Sequence, residues 1–346
     1  METYPPSEIV NIIALLIPCI MGTIGNLLVI YILAWKKRNH RKPFENLLSI
    51  LAVVDLFASV IVPVLFLYGA ITKYKRWDFG YIGCKLISSF FPVSVTFSEG
   101  ILVLISYERY KTIKDPLGGA PVKRNFIALW LLGTLLIALL LVSPYVHVLE
   151  LISSRAYNIH TCMPSGKKHT TLMVYSAGNV LRDLTATLSM IILGVLTNRV
   201  LRDSGCQTST VNGFQNSRRR KNLLKARSML VVVVCVFSVC VIPLDVFQFV
   251  IYALYQVGYQ FSQDNYESVL TCNSVLSVLQ IMNSATNVII YARMHKDFTS
   301  RQFFRSVRKA FRRNVSQMLS TYRVNNDEKK RELHSGLLKS NTLTRS

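Results

Sequence analysis

The sequence predicts an all-α membrane fold: a bundle of seven transmembrane helices followed by an amphipathic helix on the inner membrane surface. Three observations carry this. Apolar windows of roughly 20 residues, each long enough to cross a hydrocarbon core of ~30 Å, recur near residues 8–34, 45–72, 83–110, 125–147, 171–200, 226–254 and 268–292. Basic residues crowd alternate connectors. The third window, which opens at Cys84, closes on Glu108-Arg109-Tyr110, and an arginine at a bilayer boundary needs an acid beside it or a water-filled crevice to receive it. With 346 residues, 51% hydrophobic and only 17% charged, the chain reads as one membrane domain with a tail.

Taken in order, residues 1–7 form an outer segment without an N-x-[ST] sequon, too short for a separate ligand-binding domain, so the helices and outer loops must capture any ligand. The first ten residues carry no basic region, and the first span is expected to stay in the membrane as its own signal anchor. Residues 8–294 hold the seven spans. Polar residues at membrane depth are Asn26 in the first, Asp55 in the second, Ser98 and Glu99 in the third, Arg182 and Asp183 in the fifth, Asp245 in the sixth, and Asn283, Ser284 and Asn287 in the seventh. The inner connector from about Asp203 to Ser217 is rich in Ser, Gly, Asn, Thr and Gln and is expected to be flexible, after which Ser217 to Lys221 lead into the sixth helix. At 295–313, Phe298, Phe303, Phe304, Val307 and Phe311 recur at helical spacing among Lys and Arg, predicting a helix with aromatics in lipid and cations at anionic head groups. Residues 314–346 form a polar cytoplasmic tail, expected to be disordered, with several Ser and Thr open to kinases.

The net charge of +22 is read as topology. Lys36, Lys37, Arg38, Arg41 and Lys42 follow the first span, Lys111, Lys114, Lys123 and Arg124 the third, and Arg199, Arg202, Arg218, Arg219 and Arg220 the fifth. Those connectors are predicted to be cytoplasmic, which places the N-terminus outside and the tail inside. Because the cations follow helix ends rather than one folded face, a nucleic-acid partner is not expected. Of seven cysteines, Cys84 and Cys162 both face an oxidising compartment and could form a disulfide. Cys19, Cys235 and Cys240 read as small buried apolar residues, and Cys272 as unpaired.

A polar residue at bilayer depth must find a partner, so these positions constrain which helices meet. Asn283 and Asn287 are four apart and share a face. Together with Asp55 and Ser98 they offer the oxygen ligands a small hard cation prefers. The same set could instead be a water-linked hydrogen-bond network without an ion.

Gly25-Asn26, Leu51-Ala52-x-x-Asp55, Cys84 followed by Glu108-Arg109-Tyr110, Trp130, Phe237-x-x-Cys240-x-x-Pro243 and Asn283-Ser284-x-x-Asn287-x-x-x-Tyr291, in this order and spacing, resemble the motif set of class A, rhodopsin-like, G-protein-coupled receptors. The resemblance covers about residues 10–312. It implies a disulfide from Cys84 to Cys162 and a polar network of Asn26, Asp55, Ser98, Asn283 and Asn287 with an allosteric sodium ion at Asp55. It also implies a helix 6 switch around Phe237 and Pro243. Arg109 would be held by Glu108 at rest and would swing to contact a heterotrimeric G protein, with Tyr110, Asn287 and Tyr291 in the same switch. Arrestin and receptor kinases would read the tail, and the protein would sit in the plasma membrane.

The chain departs from the pattern at Val241, where a tryptophan is usual, at Val288, where a proline is usual, and at Leu223, where some members carry an acid; no proline lies between Pro164 and Pro243. Since kinks and ion pairs set the balance of resting and active states, these positions bear on basal activity.

Phe91 stands where amine receptors place an aspartate, and Ile281 where opsins place the retinal lysine. A short peptide or polar small molecule fits better, with Phe91, Val95, Arg182, Asp183, Asp245, Gln248, Phe249, Ser277 and Gln280 as its candidate contacts. Asp245 leads this set, because a carboxylate at that depth needs a cation from the ligand or an internal partner such as Arg182. The competing functions are a non-signalling binding receptor or scaffold, and a small transporter using Asp55 and Glu99 as a relay. No half-to-half repeat favours the transporter, and no catalytic constellation favours an enzyme.

Overall fold

The computed structural model describes residues 6–36, 43–72, 75–115, 122–154, 159–165, 168–207, 228 and 231–294. Its helices are α1 (Pro6–Ile30), which ends in a π-helical turn at Tyr31–Lys36, α2 (Pro43–Ile71), α3 (Gly80–Lys114), α4 (Arg124–Val148) and α5 (His169–Gln207). They are followed by α6 (Val231–Gln256) and α7 (Gln263–Met294). The bundle belongs to the compact unit that ends at Tyr291. The expected surface helix at 295–313 and the tail at 314–346 lie outside the described residues, as do Leu223 and the basic run at 218–220.

Helices are the form these sequences must take in hydrocarbon, because only a closed i to i−4 ladder pairs every backbone group without water. Among the described residues, six of these helices are long and apolar enough to cross a membrane by composition alone. On α7, Ser277, Gln280, Asn283 and Asn287 are all buried inside the bundle. The opposite situation holds on α4, where Leu129 is 69% and Leu140 71% exposed, which makes that helix a lipid-facing wall packed on α3 and α5. The long α3 packs against α2, α4 and α5, and so occupies the centre.

Two close approaches set the spacing of neighbours. A Cβ on Gly100 of α3 would come within 2.1 Å of Thr134 Cγ2 on α4, and the Trp130 indole donates to the Gly100 carbonyl at 2.9 Å. Gly22 of α1 faces Ser59 of α2 in the same manner, its missing Cβ falling 2.2 Å from Ser59 Oγ. On α6, Val241 forms a turn between the helical segment 231–240 and Ile242–Gln256, whose first turn holds Pro243. A proline has no N–H to offer the ladder, so the interruption falls at the residues just before it.

The outer face carries an antiparallel hairpin that the sequence reading did not anticipate, β1 (Leu149–Ser154) and β2 (Ile159–Pro164), with Leu151 opposite Cys162. The Cys84–Cys162 disulfide ties it to the head of α3 across 5.6 Å between Cα atoms, as the sequence suggested. His160 N–H donates to the Lys75 carbonyl at 2.9 Å, and Lys85 Nζ donates to the carbonyls of Val146 and Leu149 where α4 ends. Before α3, Gly80 adopts φ +64°, a left-handed conformation that glycine enters without a Cβ penalty, and Trp77 Nε1 donates to its carbonyl at 3.0 Å. Arg76 pairs with Asp78 at 2.8 Å, and the hydrogen bond from its guanidinium holds the Asp78 carboxyl below the usual carboxylate range.

Two sequence expectations are corrected here. The polar connector was placed from Asp203, but α5 continues to Gln207. Of the three cysteines read as buried, only Cys240 is; Cys235 is exposed on the lipid side and Cys19 is half-buried, because a small apolar thiol is equally at home facing hydrocarbon.

Candidate functional site

Beneath the hairpin the outer half of the bundle encloses a cavity of about 780 Å³. Seven of the nine predicted ligand contacts line it: Phe91 and Val95 on α3, Arg182 on α5, Asp245 and Gln248 on α6, and Ser277 and Gln280 on α7. Asp183, which is fully buried against Arg182, and Phe249 do not. The inward residues of α6 are Leu244, Asp245, Phe247, Gln248, Ile251, Tyr252 and Tyr255, which follow the helical period, and Phe249 falls off that stripe. The sequence reading passed over Tyr175, Asn179, Tyr252, Tyr255, Asn273 and Trp77, all of which line the cavity. For four of them the signal was present as spacing: Asn179 and Tyr175 lie three and seven before Arg182, Tyr252 lies four past Gln248, and Asn273 lies four before Ser277.

The cavity floor is organised by Arg182. Its Nε lies 2.9 Å from Glu99 Oε2 of α3, and one terminal nitrogen lies 2.6 Å from Asp183 Oδ1 and 2.8 Å from Asp245 Oδ2 of α6. The other terminal nitrogen donates to Thr96 Oγ1 at 2.9 Å and to Asn179 Oδ1 at 3.1 Å. Of the two partners the sequence left open for Asp245, the internal one is present. Above it, Gln248 Nε2 donates to Asn273 Oδ1 at 3.3 Å and joins α6 to α7, while Tyr145 stacks on Tyr175 at 5.1 Å.

A second polar cluster lies closer to the cytosol. Ser98 Oγ donates to Asp55 Oδ1 at 3.1 Å and Asn287 Nδ2 donates to Asp55 Oδ2 at 2.9 Å. Asn283 Oδ1 is buried and accepts no hydrogen bond among the described residues. One carboxylate with neutral hydroxyl and amide oxygens nearby is a donor set that suits a small hard cation. Asn26 Nδ2 donates to the Gly22 carbonyl at 2.9 Å and to the Ser284 carbonyl at 3.4 Å, which ties α1 to α7.

At the inner end, Arg109 Nε lies 3.8 Å from Glu108 Oε2, and Thr112 Oγ1 donates to Glu108 Oε1 at 3.1 Å. The guanidinium carbon rests 3.1 Å from the ring centroid of Phe44 at the start of α2, a partner the sequence reading missed because cation–π contacts leave no spacing signature across helices. The neighbouring Tyr110 receives Lys114 Nζ 5.8 Å from its ring centroid. Phe237 is fully buried on α6. The side chain of Tyr291 lies outside the described residues.

A family model described as 7 transmembrane receptor (rhodopsin family) matches residues 25–291. Galanin receptor 2b of Danio rerio is 25% identical over 92% of this chain and 79% of its own length. Neuropeptide Y receptor type 6 of Oryctolagus cuniculus is 25% identical over 83% and 77%, and the Allatostatin-A receptor of Bombyx mori is 27% identical over 83% and 76%. With the seven-helix bundle, the disulfide-tethered hairpin and the inner Glu108-Arg109 pair already in place, the match over most of the chain decides the matter: the protein is a multi-pass membrane receptor of the rhodopsin family, class A of the G-protein-coupled receptors.

Proposed function

We propose that this receptor binds an extracellular peptide in the outer cavity and activates heterotrimeric G proteins at its cytoplasmic face. The observation that carries the ligand assignment is the cavity itself. At about 780 Å³, with polar residues from α3, α5, α6 and α7 and tyrosines on its walls, it offers a side chain or two of a peptide both hydrogen bonds and apolar area. The names of the similar receptors, for galanin, neuropeptide Y and allatostatin-A, point the same way. The basic inner connectors support an outside N-terminus and a cytosolic tail in the plasma membrane. Arrestin and receptor kinases would engage that tail, and lipid head groups the segment 295–313. Asp55, with oxygens from Ser98, Asn283 and Asn287, would hold a sodium ion, whose charge would stabilise the resting packing of α2, α3 and α7.

Binding acts on signalling through α6, because Asp245 at the cavity floor and Phe237 in the core lie on the same helix. Its outward displacement would uncover Arg109 for the G protein. The test is to apply size-fractionated tissue extracts to cells expressing the full chain and to read calcium and cyclic AMP, with and without protease treatment of the fraction. Activity that protease removes, and that Arg109→Ala lowers at matched surface expression, is the expected result. Activity untouched by protease would overturn the peptide assignment, and equal signalling by Arg109→Ala would overturn the coupling role.

A further inference from the structure

We infer that the cavity floor seats a second cation supplied by the ligand, a guanidinium or ammonium group that meets Asp245 beside Arg182, with Asp183 and Glu99 behind them. The inference deepens the peptide-receptor reading and rests on it only for the source of the cation. Glu99, Asp183 and Asp245 all stand within 2.9 Å of Arg182, with side chains 2%, 0% and 6% exposed. One guanidinium therefore faces three carboxyl groups at membrane depth, where charge left uncompensated is costly.

The arginine is also used up. A guanidinium has five N–H donors, and hydrogen bonds run from Nε to Asp183, from one terminal nitrogen to Thr96 and Asn179, and from the other to Asp183 and Asp245. Yet Asp183 Oδ2 and Glu99 Oε1 are buried and receive no hydrogen bond from the arginine, facing the neighbouring carboxyl groups instead. Carboxyl groups in excess of the one guanidinium call for another cation, and Asp245 is where the cluster meets the cavity.

Access and shape agree with this assignment. Arg182 and Asp245 line the cavity, so a group entering from outside meets the cluster at Asp245, with Glu99 and Asp183 behind the lining, and Phe91, Tyr175 and Tyr252 supply aromatic walls that suit the flank of an organic cation. The cavity's rim cation, Arg76, is already paired with Asp78.

The experiment is thermal unfolding of the purified full-length receptor across the millimolar range of N-acetyl-argininamide, with neutral N-acetyl-citrullinamide as the isostere. A second arm exchanges sodium chloride for potassium chloride. We expect N-acetyl-argininamide to raise the midpoint saturably by about 2 °C or more and the citrulline compound to leave it unchanged. The shift should vanish in a Glu99→Gln, Asp183→Asn double variant, which keeps the Arg182–Asp245 pair. Identical responses to the two compounds on the parent receptor overturn the proposal without recourse to any variant. Stabilisation by sodium that the double variant abolishes, with none from N-acetyl-argininamide, overturns it in favour of an inorganic ion. A natural agonist that survives protease would overturn the peptide reading and leave this result standing.

Discussion

Arg182 illustrates how a single residue can carry more than one helix interface. It ties α5 to α3 through Glu99 and Thr96, and α5 to α6 through Asp245. Removing one partner of a buried ion pair is far costlier than the pair is worth, because the other charge is left behind. The arrangement is asymmetric: Arg182→Gln strands three carboxyl groups, whereas Asp245→Asn removes one and leaves Arg182 with two acids. We predict that Arg182→Gln costs about 3–5 kcal/mol and Asp245→Asn only about 1–2 kcal/mol, read as thermal midpoints of the purified receptor. Equal losses would mean that Arg182 is not the hub. The Arg182–Asp245 pairing was legible as an alternative in the sequence, since two opposite charges at membrane depth seek each other. The convergence of Glu99 on the same guanidinium was not, because no sequence interval encodes which face of α3 meets α5.

At the scale of elements, the helices themselves were legible because apolar length is set by the bilayer, and the observed spans begin and end within a few residues of the apolar windows. The hairpin Leu149–Pro164 was not: short strands in a polar loop have no strong alternation, and their pairing is fixed by the disulfide and by the Lys75 carbonyl rather than by local propensity. Helix spacing was equally hidden. A glycine inside a long apolar span reads as neutral, yet Gly100 is where α3 and α4 touch, with Thr134 filling the place of its Cβ. Gly100→Ala is therefore predicted to push α4 outward at a cost of about 1–3 kcal/mol, in the range for overpacked cores, despite alanine's better helix propensity. Thr134→Ala removes the Cγ2 and Oγ1 atoms that clash, so the double variant should recover most of the loss. Thermal unfolding of the four receptors completes a mutant cycle, and simple additivity of the two single variants would show that the contact does not set the spacing.

For the molecule as a whole, the outer cavity and the inner arginine are linked only by long helices, and the balance between resting and active arrangements decides how much one end reports to the other. The chain lacks several devices that the sequence comparison led one to expect on this path: Val241 stands for tryptophan, and α5 has no proline to kink it. The restraint on Arg109 is correspondingly local. It includes the Glu108 carboxylate at 3.8 Å, itself steadied by Thr112, the Phe44 ring at 3.1 Å and the charge of the buried Glu45 beside it. The ion pair is longer than a hydrogen bond, so the aromatic shelf carries a large share of the hold, worth about 0.5–2 kcal/mol when partly shielded from water. Phe44→Leu keeps the apolar bulk between α2 and α3 but removes the π face. If the shelf holds the resting state, losing about 1 kcal/mol there raises the active fraction roughly fivefold while that fraction is small. The expected outcome is higher basal guanine-nucleotide exchange in membranes carrying Phe44→Leu at matched receptor density, with the increase abolished when Arg109→Ala is added. Basal exchange unchanged from the parent would place the restraint on the acids Glu108 and Glu45, and an increase that survives Arg109→Ala would show that Phe44 acts through packing rather than through the arginine it faces.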